Sequence, residues 1–324
     1  MNGKMTKQMY KRTIKITIVM ILGLSLILTG CATKENKSDG ALSEGQISIV
    51  TTIGQIAEPL SVIGGDKVNV QSLMGPGVDP HLYNATQGDI KKLDDSDIVF
   101  YSGLHLEGNM IEIFEEIGKR KPVLAIGEVV PKDQLLRDDA DAVDPHIWFD
   151  IDLWKQALNS AVDELKNFSP DNAEYFEANK VKYFEELDAL SKESKEKLAQ
   201  IEKEKRVIVT AHDAFGYFGR MHDMKVVGLQ GLSTEDEIGI SDIDETIQTL
   251  LEHSIPAVFV ESSINPNSIK AVIEGAASQN LNVKLGGELY SDAMGSEGTP
   301  EGTYIGMYRH NVDTIFKALT GSGE

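Results

Sequence analysis

DNAEYFEANKVKYFEELDALSKESKEKLAQIEKEK, residues 171–205, runs without a glycine or proline, and Phe176, Tyr183, Leu187, Leu190, Leu198 and Ile201 fall on one stripe at helical spacing. The preceding Ser169-Pro170 pair reads as a capped start, since proline is tolerated in the first turn and serine is favoured just before it. At 1.5 Å per residue such a helix is about 50 Å long, more than one small domain needs. The stripe is too brief for sustained heptads, so a rigid connector between two lobes accounts for it better than a coiled coil.

On either side the pattern alternates. Before it, β-rich runs at Ile47 to Ile53, Val68 to Leu73, Ile98 to Tyr101 and Val123 to Ile126 are separated by helical stretches at Gln55 to Ile63, Gly88 to Ser96 and Gly108 to Gly118. Asp150 to Phe168 is an amphipathic helix. After it come strands at Arg206 to Ala211, Val226 to Leu229, Ala257 to Val260 and Val283 to Leu285, with helices at Ser241 to His253, Asn267 to Ser278 and Gly302 to Leu319. Such βαβ alternation predicts an α/β protein of two lobes, each a mainly parallel sheet flanked by helices, joined by one long rigid helix. The predicted division is a leader over 1–30, a flexible tether over 31–45, an N-terminal lobe over 46–168, the helix over 169–205 and a C-terminal lobe over 206–324.

One tripeptide occurs twice, at Asp79-Pro80-His81 and Asp144-Pro145-His146. Proline fixes its own backbone angle and pushes the preceding residue out of the helical region, so each makes an extended corner with an imidazole just past it. His212 directly follows a predicted strand, and Asp292 lies in the Gly-rich stretch from Gly286 to Gly298. Ligands of open parallel sheets gather outside the carboxyl ends of the strands, where His81, His212 and Asp292 fall. These four side chains are expected to close around one divalent metal ion in the cleft between the lobes. Imidazole and carboxylate suit zinc, manganese, iron, nickel or cobalt; the lack of thiolate or clustered thioether argues against copper(I) and iron-sulfur roles. Asp79, Asp213 and Glu261 are candidate partners that orient the ring nitrogens, or equally caps and turn formers. His105, His222, His253 and His310 read as surface or hydrogen-bonded residues, with His222 and His253 facing solvent near helix ends.

Charged residues at 25% and hydrophobic ones at 41% are those of a soluble globular protein, but the first thirty residues differ. They carry Lys4, Lys7, Lys11, Arg12 and Lys15 with no acid, then the apolar run Ile16 to Leu28, which suits the core of a secretory signal. The run ends Leu28-Thr29-Gly30-Cys31, and Cys31 is the only cysteine, so no disulfide forms within the chain. That ending looks like a bacterial lipobox, in which the thiol is acylated. Without the leader the chain holds 26 basic and 51 acidic side chains, a net charge of −25. Such a balance repels nucleic acid.

Six stretches carry a resemblance: Gly75 to Tyr83, Asp144 to Phe149, Thr210 to Phe218, the Gly-Leu-Gln-Gly-Leu-Ser-Thr run from Gly228, Glu261-Ser262-Ser263, and Leu289 to Gly295. In them the chain resembles the zinc/manganese-binding lipoproteins of bacterial ABC importers, most closely the manganese-binding members of Gram-positive bacteria. The resemblance runs from the lipobox to the C-terminus. It implies ligation by His81, His146, His212 and Asp292, and two lobes on one long helix that limits hinge bending. Some manganese-binding relatives carry glutamate as third ligand where His212 stands here. Many zinc-specific relatives have a His-rich loop before the second ligand; Pro131 to Val143 contains Asp138, Asp139 and Asp141 but no histidine, which favours manganese.

The expected function is therefore a monomeric, non-enzymatic receptor, lipid-anchored through Cys31 on the extracytoplasmic face of a cell membrane. It would pass Mn2+, or alternatively Zn2+, to an ABC importer permease, with the metal as cargo and no catalytic cofactor. The competing class is a secreted metallohydrolase on the same four residues. It needs an open coordination position beside a free general base, for which Glu261 is the one candidate.

Overall fold

The computed structural model describes residues 45–235 and 237–322, so the leader, Cys31 and most of the tether lie outside the described residues. Strand β1 (Ile47–Thr51) is buried along most of its length and leads through α1 (Gly54–Gly64) to β2 (Val68–Ser72). Helix α2 (Gln87–Asp95) starts in a capping box: Asp89 N donates to Thr86 Oγ1 at 3.2 Å, and Thr86 N to Asp89 Oδ2 at 3.0 Å. Then follow β3 (Ile98–Tyr101), α3 (Ile111–Gly118) and β4 (Val123–Ala125). The four strands form one parallel sheet in the order β2-β1-β3-β4.

Asp150 caps α4 (Ile151–Phe168) by accepting from Asp152 N and Leu153 N. Its apolar face, including Trp154, Leu158, Val162 and Leu165, is wholly buried. The long helix is shorter than its pattern predicts. After a 3-10 turn at Pro170–Asn172, α5 covers Ala173–Leu198, about 39 Å, and a second 3-10 turn follows at Lys203–Lys205. Ser169 does not cap the start; its hydroxyl accepts from the Asn172 side chain at 2.9 Å. The predicted stripe is nonetheless the buried one, from Phe176 to Ile201.

The chain continues through β5 (Val207–His212), α6 (Gly216–His222), β6 (Lys225–Gln230), α7 (Ile240–His253), β7 (Ala257–Glu261), α8 (Asn267–Ser278), β8 (Lys284–Leu289) and α9 (Tyr304–Thr320). Every pairing between these strands is parallel, but the later strands form two separate ladders, β5-β6 and β7-β8, where one sheet was expected. β5 and β7 still pack side by side, and Glu261 Oε1 accepts from His212 N at 2.9 Å where they end. Helix α5 rests on α1 and α4 from before it and on α9 from after it. Asn179 Nδ2 donates to Ile63 O at 3.0 Å, and Lys197 pairs with Asp313 at 2.6 Å.

Candidate metal centre

The loop after β2 turns at Gly77, whose φ of +74° is costly for any residue with a Cβ, and then delivers His81. His146 ends an extended corner just before the 3-10 turn Ile147–Phe149. His212 is the last residue of β5, which ends one residue later than the pattern suggested, and β6 passes so close that a Cβ on Gly228 would lie 2.4 Å from Asp213 N. Asp292 follows β8 on a loop fastened from two sides. Gln55 Nε2 and Trp148 Nε1 both donate to Ser291 O, at 3.1 and 3.2 Å, while Asn311 of α9 brackets Tyr290 through bonds of 2.9 and 2.7 Å.

These elements bring one donor atom from each of His81, His146, His212 and Asp292 within 4.8 Å of one another, all buried. His81 Nε2 lies 3.4 Å from His146 Nε2, Asp292 Oδ1 lies 3.3 Å from His146 Nε2, and Asp292 Oδ2 lies 3.2 Å from His212 Nε2 and 3.9 Å from His81 Nε2. Four donors held about 2.0–2.2 Å from a common cation stand about 3.3–3.6 Å apart in tetrahedral geometry, so the spacing fits one ion.

The rings are held from behind. His146 Nδ1 lies 2.8 Å from Asp144 Oδ1, and His212 Nδ1 lies 2.7 Å from Glu261 Oε2. Such partners fix the ring's orientation and turn Nε2 inward. Burial disfavours a charged His146 ring, but the Asp144 and Asp292 carboxylates outweigh it and push the pKa up to about 9. His212 is driven in the same direction by Glu261 and Asp292 against its burial. His81 has no carboxylate behind it among the described residues, and burial pushes it down to about 3. Burial alone would raise Asp292; the facing His212 and His146 rings hold it well below the usual carboxylate range.

The orienting residues differ from the sequence expectation. Glu261 lies against His212, with Oε1 accepting from His212 N and Oε2 2.7 Å from Nδ1. Asp79 does not reach a ring: Oδ1 accepts from His81 N at 2.9 Å and Oδ2 from Thr234 Oγ1 at 2.6 Å. Asp213 acts through its backbone, donating from N to Gly231 O at 3.3 Å, and its carboxylate is paired with none of the four residues among those described. Asp144, Gln55 and Asn311 were missed.

The ZnuA family, described as the periplasmic component A of a zinc-uptake complex, matches residues 49–318. The chain is 48% identical over 300 residues to the manganese-binding lipoprotein MntA of Bacillus subtilis, covering 92% of this chain and 97% of that one. It is 41% identical over 301 residues to the zinc-binding protein TroA of Treponema pallidum, covering 93% and 96%. The solved structure of that periplasmic zinc-binding protein superposes with a TM-score of 0.83 at 42% identity, over 85% of this chain and 99% of that one. The chain belongs to the ZnuA family.

The family consists of metal-binding receptors of ABC transporters, and its chemistry is binding without catalysis. Glu261, the candidate base of the hydrolase alternative, faces His212 with both oxygens: Oε1 accepts from His212 N at 2.9 Å and Oε2 lies 2.7 Å from Nδ1. Three further histidines lie apart from this cluster as expected: His105 is exposed, His253 Nε2 lies 3.3 Å from Lys225 Nζ, and His310 Nε2 donates to Glu288 O. His222 is a correction. Expected to meet solvent, it is buried beneath α9, with Nε2 2.9 Å from Tyr308 Oη. Tyr308 Oη also lies 3.1 Å from Phe149 O and 3.4 Å from Met221 Sδ, and His222 Nδ1 has no hydrogen-bond partner among the described residues.

Proposed function

We propose that this chain captures Mn2+ on the extracytoplasmic face of a membrane and delivers it to the permease of an ABC importer, with His81, His146, His212 and Asp292 as ligands. The observation that carries the reading is the inward convergence of three imidazole Nε2 atoms and one carboxylate, all buried, at the spacing one cation imposes. Asp292 turns Oδ1 toward His146 and Oδ2 toward His212, so both oxygens face the centre, which suits an ion taking more than four donors. The likeness to the manganese-binding lipoprotein and the absence of histidine from Pro131 to Val143 support manganese. Zinc is the second reading, favoured by the likeness to TroA and by the near-tetrahedral spacing.

In this proposal the chain works as a monomer, in lobes 46–168 and 206–324 joined by 169–205, and Cys31 carries the lipid that holds it to the membrane of a Gram-positive bacterium. Helix α5, packed on both halves, restrains wide hinge motion, so capture proceeds through small shifts of the ligand loops. Among the described residues no helix is long and apolar enough to cross a membrane.

Elemental analysis followed by titration of manganese against zinc tests the reading. One equivalent of manganese, lost in Asp292→Ala and in His212→Ala but kept in His253→Ala, is the expected result. Exclusive zinc would move the assignment to zinc uptake, and equal affinities of the two histidine variants would overturn the ligand set.

A further inference from the structure

The two Asp-Pro-His corners use one bond alike and then diverge. Asp79 Oδ1 accepts from His81 N at 2.9 Å, and Asp144 Oδ1 accepts from His146 N at the same distance. Asp144 also lies against His146 Nδ1, so corner and ring are locked together. Asp79 turns its second oxygen away from its own histidine, to the Thr234 hydroxyl, 155 positions along the chain. At 2.6 Å this is a short, charge-assisted bond.

Thr234 is 8% exposed and lies in the segment between β6 and α7, where its carbonyl accepts from Gln230 Nε2 at 3.3 Å. The His81 corner therefore leans on a residue from the far half of the chain. The other three donors are fixed independently of it: His146 by Asp144, His212 by Glu261, and the Asp292 loop by Gln55, Trp148 and Asn311. His81 is also the most exposed of the four, at 4%. Asn109 Nδ2 donates to His81 O at 3.2 Å, but no carboxylate stands behind the His81 ring among the described residues, and its corner is the one tied to a segment 155 positions away.

We infer that Thr234 is a positioning residue that sets how long the bound ion stays: its hydroxyl holds Asp79, Asp79 holds the His81 corner, and breaking that link frees His81 while the other three donors keep their places. The inference rests on the proposed metal-site reading. It gives the two corners different tasks, a fixed arm at His146 and a releasable arm at His81. Loss of the ion then begins at His81, and the segment after β6 controls it.

The test uses the full-length chain loaded with Mn2+, and in parallel with Zn2+. Stopped-flow mixing with a chelator gives the dissociation rate, and mixing metal-free protein with the ion gives the association rate. Thr234→Val keeps the shape and removes the hydroxyl; Thr234→Ser keeps the hydroxyl. The valine variant is expected to release the ion about tenfold faster, with association within about twofold of the parent. The serine variant is expected to restore the slow rate. An unchanged dissociation rate in Thr234→Val overturns the inference while leaving the metal site standing. So does a fall in association as large as the rise in dissociation together with a lower melting temperature of the metal-free protein, which marks general loosening. Failure of serine to restore the rate overturns it as well, and a parent chain that binds no ion sinks the functional reading and this inference together.

Discussion

Each histidine of the site behaves according to what stands behind its ring. Asp144 holds His146 at 2.8 Å, and removing its charge with Asp144→Asn is expected to weaken metal affinity about 10–100-fold, measured by competition titration, with little change in the melting temperature of the metal-free protein. The four donors were legible because a repeated tripeptide and two strand ends singled them out. Asp144 was passed over although it stands in the same tripeptide, since only the fold decides which of two identical corners aims its carboxylate at the ring. His222 was misplaced for a related reason: a histidine ending a short helix looks exposed until α9 is laid over it. Its burial pushes the pKa down to about 3, so the folded protein keeps it neutral while the unfolded chain protonates it near pH 6.5. The unfolded state then binds the extra proton, and stability is lost as pH falls from about 6.5 toward 3. Between pH 7 and 4 the parent is expected to lose about 2–3 kcal/mol more than His222→Gln, read from urea midpoints at each pH.

At the scale of elements, the strand and helix order before residue 170 was readable because the apolar periodicity alternates clearly there; the structure adds the caps at Thr86 and Asp150. The end of α5 was not readable, for a definite physical reason. No glycine or proline marks it, and the terminal carbonyls are satisfied locally, with Lys195 O accepting from Ala199 N at 3.0 Å, Lys197 O from Gln200 N at 3.1 Å and Leu198 O from Ile201 N at 3.1 Å; just past the end, Arg206 Nε donates to Ile201 O at 3.0 Å and Nη2 to Ala199 O at 2.9 Å. A helix closed by its own backbone and steadied just beyond its end by a distant guanidinium leaves no local sequence signal. Arg206→Met is expected to cost about 1–3 kcal/mol in chemical unfolding and to raise amide exchange over 196–202, because the carbonyls lose a charged donor. The separation of β5-β6 from β7-β8 was equally hidden, since alternation shows that strands are parallel but not which ladders join.

For the whole molecule, the ion and the protons compete for the same buried centre. Metal-free protein near pH 7 holds His146 and His212 protonated beside an ionised Asp292, because Asp144 and Glu261 stabilise the charged rings more than burial opposes them. A divalent ion takes only the neutral rings, so uptake must expel those protons. The sign follows: lowering the pH adds protons to the competing state and weakens binding, whereas raising it toward about 9, where His146 gives up its proton unaided, strengthens it. Affinity measured by titration is expected to fall by at least about tenfold for each pH unit between 7.5 and 5, with buffer-dependent heats reporting proton release. The same linkage makes the ion a stabiliser of the fold. At a free concentration about a thousandfold above its Kd it adds about 4 kcal/mol, which corresponds to a melting temperature higher by on the order of 10 °C. That gain should shrink as pH falls and vanish in Asp292→Ala, and a melting temperature insensitive to metal at pH 7.5 would mean that the four donors hold no ion.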